Sequence, residues 1–262
     1  MNHLDWAAAA VGPQATIEQV SPLAGGTHAR TDLLRTANPT RELVLRRFPP
    51  GDAAAREATV LTALDGLDGL APRLVAADPT GQATGRPTTL ITRIPGHPDI
   101  RPADPQAAAT ELGRTLARVH ATPQDRIAQL RDGMCAAGHV PLDQPSVLTH
   151  YDFWTGNVLW DGPTITGVID WSGASRAPRG FDVSWCRLDL VLLHDHATAD
   201  TFLAAYQDAA GQEVPDIGRW DDFALANSRR SVETWLPNYH DLGRTDLTAA
   251  DLRARHTAWA RR

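Results

Sequence analysis

Apolar and polar positions change rhythm along the chain. Through the first third they fall in short, strand-like runs, and beyond residue 105 they recur at helical spacing. Residues 16–23 and 29–36 read as two strands joined by the turn Ala24-Gly25-Gly26-Thr27. Residues 42–48 (ELVLRRF) make a third, stopped by Pro49-Pro50-Gly51. A helix is predicted over 52–64, with Val60, Leu61 and Leu64 on one stripe, followed by strands at 74–77 and 88–94. Pro95-Gly96-His97-Pro98 then breaks the chain. Helices are predicted at 107–121, 123–137, 182–194, 199–210, 220–235 and 247–260, with a hairpin after His150. The expectation is an α+β protein with a strand-rich lobe over residues 1–97 and a larger helical lobe over 98–262. No repeat or low-complexity tract interrupts it.

Composition narrows the function. With 262 residues and 42% hydrophobic content the chain can bury a sizeable core. A net charge of −6 argues against a sequence-independent grip on nucleic acid. No apolar run approaches the ~20 residues of a membrane span. The start, MNHLDWAAAAVG, carries Asp5 and no basic segment, so residues 7–10 read as a helix start rather than a signal peptide. Two cysteines, Cys135 and Cys186, are too few for a disulfide framework or a thiolate zinc site. A cytoplasmic protein is the expectation. All 25 basic residues are arginine, which excludes Schiff-base lysines, the Ser-x-x-Lys nucleophile and the GxxxxGK[ST] phosphate loop. The HExxH zinc motif and the G-x-S-x-G elbow are also absent.

The chemistry concentrates in residues 148–171, LTHYDFWTGNVLWDGPTITGVIDW. Asp152 and Asn157 lie five apart in a loop. Residues 158–160 and 165–169 make a hairpin around Asp161-Gly162-Pro163, and in that register position 157 faces position 170. An amide oxygen and two carboxylates would meet at its open end, a hard-oxygen set suited to Mg²⁺ and phosphate. A lone Asp and Asn at this spacing ordinarily serve as caps or turns; the conjunction with the hairpin and the strand-rich lobe is what favours a site.

These residues resemble a known family. His150-Tyr151-Asp152, Asn157-Val158-Leu159 and Ile169-Asp170-Trp171 are similar to the catalytic loop and metal aspartate of the aminoglycoside phosphotransferase/choline kinase group. Residues 112–121 (LGRTLARVHA) and Gly180-Phe181-Asp182 fall in the family's order as well. The resemblance covers residues 16–195 and implies a protein-kinase-like bilobal fold. It implies Asp152 as the residue that orients the substrate hydroxyl and accepts its proton, Asn157 and Asp170 as Mg²⁺ ligands, and ATP or GTP as phosphate donor. His150 would anchor the loop, and Asp182 would cap the following helix or tie the loop down. Glu57, in the helix after the third strand, would pair with the cation that binds phosphate, and Thr92, Arg93 and Ile94 would lie where the nucleotide base is held.

The sequence departs from the family twice. Where a lysine is usual in the third strand, this chain has Arg46, and alternation places Arg46 with Val44 and turns Arg47 away. Tyr151 and Trp154 stand where the family has glycine and a smaller or imidazole residue; they either plug the core or narrow the substrate side. Gly25 and Gly26 either approach phosphates or serve a routine hairpin turn. Asp221, Asp222 and Glu233, with other carboxylates toward the C-terminus, either form an acidic cleft for a polyamine or a solvated face. His194-Asp195-His196 reads as a polar helix end, and Trp220, Trp235 and Trp259 read as core. The expected partner is a small hydroxyl-bearing molecule, an antibiotic such as an aminoglycoside leading. The alternatives are a metabolic alcohol and a catalytically silent nucleotide-binding protein. No signal distinguishes a monomer from a dimer.

Overall fold

The computed structural model describes residues 2–23, 29–133 and 144–261. The chain divides into two compact units, one of residues 1–95 with 167–173 and one of residues 96–166 with 174–262. The short segment 167–173 therefore packs with the earlier part of the chain, which a single cut near residue 97 does not anticipate.

The first unit opens with α1 (His3–Val11), capped by the Asn2 side chain, which accepts from the Leu4 and Asp5 amides. A five-stranded antiparallel sheet follows: β1 (Thr16–Pro22), β2 (Arg30–Ala37), β3 (Arg41–Arg47), β4 (Leu74–Asp78) and β5 (Thr88–Thr92), in spatial order β1-β2-β3-β5-β4. Alternation along β3 sorts its side chains to two faces. Leu43 and Leu45 join Leu34, Leu90 and Ala7 in a buried cluster under α1. Arg46 points to the opposite face, where it lies across from Thr89 in β5. That face meets α2 (Ala53–Leu64), whose buried residues Glu57, Val60, Leu61 and Leu64 share one stripe. A carboxylate at the head of an apolar stripe requires a buried cation, and Arg46 supplies it.

The second unit begins with β6 (His97–Pro98) and the amphipathic helix α3 (Pro105–His120), capped by Asp104. A single turn, α4 (Gln124–Ile127), precedes β7 (Ser146–Thr149). The hairpin β8 (Val158–Asp161) and β9 (Thr164–Val168) joins β6 in a three-stranded sheet, while β10 (Ser175–Pro178) pairs with β7. Then come α5 (Gly180–Leu193), α6 (His196–Ala210), α7 (Ile217–Ser228), α8 (Leu236–Asp241) and α9 (Ala249–Trp259). α5 is the central rod: every residue in it is buried except Trp185. α3 packs closely on α6 because Gly113 carries no Cβ; one built there would lie 2.5 Å from the Phe202 carbonyl oxygen.

Two predicted helices are shorter than expected. The segment 123–137 forms only the turn α4, since Asp132 and the Gly133 amide bond to the Arg176 strand edge; 134–137 lie outside the described residues. The segment 220–235 splits after Ser228, whose hydroxyl bonds the Ala224 and Leu225 carbonyls and the His256 ring, closing the helix there. Trp235 consequently sits on a separate one-turn helix (Val232–Trp235) and is half-buried, whereas Trp220 and Trp259 are core as expected. Asp195 of the His-Asp-His run is the N-cap of α6. Among the described residues no cluster of three or more His, Cys, Asp or Glu is arranged to hold a metal. The strands β6, β7 and β10 and the helix α8 were not predicted.

Replacing Gly113 with alanine is expected to force α3 off α6, lowering stability by about 1–3 kcal/mol. Calorimetry should show a transition several degrees lower, although alanine is the better helix former.

Candidate active site

In the first unit, three sequence-predicted residues come together. Arg46 is 6% exposed and bonds through one guanidinium nitrogen to Glu57 and through the other to Asp170 Oδ1 at 2.7 Å. Its guanidinium also lies over the Phe48 ring, 5.1 Å from the centroid. Glu57 accepts a further bond from the Thr89 hydroxyl at 2.6 Å. Burial alone would lower the Arg46 pKa, but the Glu57 and Asp170 charges outweigh it and hold the group above its ordinary value. Burial pushes the Glu57 carboxyl up against the pull of Arg46. Arg47, as alternation predicts, turns to the α1 side, toward Asp32.

Asp170 is held by its own segment. The Val168 amide donates to the Leu70 carbonyl at 2.7 Å and the Trp171 indole to the Val168 carbonyl at 2.8 Å. Asp170 itself adopts φ +64°, with its carboxylate accepting from the Ser172 hydroxyl at 2.9 Å. Thr92 and Arg93, the expected base-holding positions, donate their amides to the Arg73 and Glu42 carbonyls. The Ile94 side chain instead packs at Gly167, where a Cβ would meet it. Gly25 and Gly26 lie outside the described residues.

In the second unit, the loop between β7 and β8 is gripped from below by α5. Asp182 accepts from the His150 amide at 2.6 Å, the Tyr151 amide at 2.9 Å and the His120 ring at 3.2 Å. Its role is to tie the loop, not to cap α5. Seven residues on, Asp189 accepts from the Thr155 amide at 3.2 Å, the Thr155 hydroxyl at 2.8 Å and the Tyr239 hydroxyl at 2.9 Å. The two carboxylates thus hold the loop on either side of Asp152. Asn157 fixes Asp152 directly, its amide nitrogen donating to the Asp152 carbonyl at 2.9 Å and to Oδ2 at 3.1 Å. His150 is fully buried with its ring edge against Phe153.

Tyr151 takes φ +74°. A tyrosine in that left-handed conformation costs about 1–2 kcal/mol, which explains a glycine preference there. Its compensation is a stack on Phe181, with ring centroids 4.1 Å apart. Trp154 folds back over Gly156, where a Cβ would collide with its ring, and its edge meets Tyr239. The other expected substrate residues separate. Asp221 is 2% exposed and paired with the buried Arg187 at 3.2 Å. Glu233 is bound twice by Arg253, at 2.5 Å each, and Asp222 is exposed.

Asp189, His120 and Tyr239 were missed in the sequence. Asp189 stands at i+7 from Asp182, which puts both on one face of α5; that spacing was the available signal. His120 is buried between the Tyr206 hydroxyl and Asp182, and burial lowers its pKa. Burial also raises the Asp189 pKa to about 6, opposed by the Thr155 and Tyr239 hydrogen bonds.

Comparison with known proteins agrees with this layout. The family model for a phosphotransferase enzyme family matches residues 19–138 and 134–223. A homoserine kinase from Rhodopseudomonas palustris (strain BisB18) is 28% identical over 167 residues, 52% of this chain and 51% of that protein. The chain thus spans about half the length of that curated relative. Among solved structures, a macrolide 2'-phosphotransferase from Brachybacterium faecium superposes with TM-score 0.64 at 18% identity, over 98% of this chain and 97% of that one. An aminoglycoside phosphotransferase in ternary complex with AMP-PNP and hygromycin B gives TM-score 0.64 at 17% identity, over 94% of each chain. An aminoglycoside-3'-phosphotransferase of type VIII gives 0.58 at 21%, covering 86% of this chain and 100% of that one. At these identities the structural likeness shows the fold, which is protein-kinase-like.

Removing the Arg46 side chain alone leaves Glu57 buried without its counter-ion. Arg46→Ala should therefore lose about 3–5 kcal/mol, while the double variant Arg46→Met, Glu57→Leu should lose less than either single change, measured by denaturant unfolding. Asp189 titrates at about 6 when folded and at 3.8 when exposed. Its stabilising contribution is complete below pH 4 and disappears as pH rises through 6, on the order of 3 kcal/mol. The stability of the native chain relative to Asp189→Asn should fall by that amount between pH 4 and 7.

Proposed function

Because the chain belongs to this phosphotransferase enzyme family, we propose that it is a Mg²⁺-dependent kinase transferring the γ-phosphate of ATP, or of GTP, to a hydroxyl of a small molecule. The observation that carries the reading is the fixed loop: Asp182 and Asp189 hold it at both ends, and Asn157 orients the Asp152 carboxylate between them. Phosphoryl transfer proceeds through a loose transition state, so positioning contributes more than basicity. Asp152 orients the acceptor hydroxyl and takes its proton late in the transfer.

Asn157 and Asp170 are the donors we assign to the metal. Their chemistry fits: an amide oxygen and a carboxylate oxygen are hard ligands, and Mg²⁺ takes few protein groups and leaves the rest of its shell to water and phosphate. The Asn157 amide nitrogen is committed to Asp152, which leaves its oxygen as the atom for a cation. When bound, Mg²⁺ would neutralise charge on the nucleotide phosphates. Arg46 supplies the positive charge that lysine usually brings to the phosphates, and its bond to Asp170 would loosen as phosphate oxygens compete for the same N–H groups.

Antibiotics are the acceptor class suggested by the structural neighbours, and a metabolic alcohol is suggested by the homoserine kinase likeness. No helix among the described residues is long and apolar enough to cross a membrane, and we place the reaction in the cytoplasm. A catalytically silent binding protein is disfavoured, because binding alone requires no oriented Asp152.

The test is ADP or GDP release by the purified protein with Mg²⁺, across antibiotics, sugars and amino alcohols. Acceptor-dependent turnover is expected, with Asp152→Ala lowering it by about 10²–10⁴-fold and leaving nucleotide affinity within a few-fold. Asp170→Ala should weaken Mg-nucleotide binding itself. Full activity in Asp152→Ala would overturn the assignment.

A further inference from the structure

α5 is buried along its whole length except at Trp185. Trp185 lies between Asp182 and Asp189 on the stripe that holds the loop, at i+3 from Asp182, with Asp189 at i+7. Asp182 binds residues 150 and 151 and Asp189 binds residue 155, so the breach in the helix's burial falls between the two residues that hold the loop bearing Asp152. Around it the rings form a continuous series. Tyr151 stacks on Phe181 at 4.1 Å, and Phe181 lies parallel to Trp185 at 6.4 Å and 10°. Trp185 meets Trp235 at 5.4 Å and 56°. Phe181 is buried, whereas Tyr151, Trp185 and Trp235 each keep part of their surface open.

Two of the three carboxylates considered for the substrate are committed elsewhere, while Asp222 is exposed. Asp221 is buried against Arg187, and Glu233 is bound by Arg253. Arg229 and Arg230, both exposed, follow α7 on the way to Trp235. A polycation would find two of these three carboxylates already neutralised and cationic neighbours besides.

We propose that Tyr151, Trp185 and Trp235 form the acceptor-binding wall, and that the acceptor presents an apolar ring face, such as the C–H face of a glycoside, and carries at most one positive charge. This rests on the kinase reading above and names the acceptor class for the same Asp152. Ring faces bind such surfaces by stacking and by removing apolar area from water. The partly exposed tryptophans offer large contact area with little rotamer entropy to lose.

Two readouts separate this proposal from the kinase reading. The first is tryptophan fluorescence of the full-length protein titrated with erythromycin and with phenyl β-glucoside as apolar-ringed probes, kanamycin as a polycation and homoserine as a small polar alcohol. At least one ring-bearing probe should bind and perturb the emission. Trp185→Leu and Trp235→Leu should each weaken that binding about tenfold or more, and Trp185→Phe, which keeps a ring, should restore most of it. The second is turnover of whichever probe serves as acceptor: its KM should rise by a similar factor in the leucine variants, with the KM for ATP and kcat within about twofold. Binding that depends on the wall without turnover would retain the wall as a ring-binding surface and count against the kinase reading on which its role as acceptor site rests. Turnover unaffected by the leucine variants, a preference for kanamycin or homoserine, or no binding by either ring-bearing probe would overturn the proposal.

Discussion

The loop between β7 and β8 depends on one carboxylate. Asp182 is fully buried, and it is tolerated there because three donors converge on it, two of them consecutive backbone amides. Those amides can be presented together only if the chain turns sharply at residue 151, which is why Tyr151 adopts a left-handed conformation. The cost of that conformation is offset locally, by the amide bonds on one side and the Phe181 stack on the other. The placement of Asp152 therefore begins with the packing of α5: a rod surrounded by apolar contacts is rigid enough to hold two carboxylates at fixed spacing under a loop that has little regular structure of its own.

The absence of lysine imposes a second constraint, in the first unit. A guanidinium is planar and offers several N–H groups, so Arg46 reaches Glu57 and Asp170 at once, where an ammonium would act as a point charge. The arrangement is self-satisfied: every strong charge in it has a partner before any nucleotide arrives. A buried ion pair of this kind adds little to stability compared with an apolar replacement, while breaking it is expensive. Its value is in holding Asp170 in place.

Much of this was legible in the sequence. The five strands of the first unit and α2 fall within a few residues of their predicted bounds, because alternation and the Pro49-Pro50-Gly51 stop are local signals. The choice of Arg46 over Arg47 followed from period two alone. What was not legible is non-local. α4 ends early because residues near Asp132 pair with a strand more than forty positions later. The break after Ser228 depends on His256 from another helix. Asp221 looked available for a substrate because its partner, Arg187, lies on a different helix and is itself buried. Asp189 was overlooked because no motif contains it, although its spacing from Asp182 placed both on one face.

The same distinction separates what the fold fixes from what it leaves open. The fold itself is shared with solved neighbours at only 14–21% identity. The proposed acceptor wall has no such constraint: its side chains lie on α5, on the turn after α7 and on the loop itself, and their identity can change without disturbing the backbone that holds Asp152. Homologous structures that phosphorylate different molecules are the natural result. The acceptor proposed for this chain rests on its own residues: Asp221 and Glu233 neutralised by Arg187 and Arg253, and aromatic rings left partly open at the one place where the central helix is not covered.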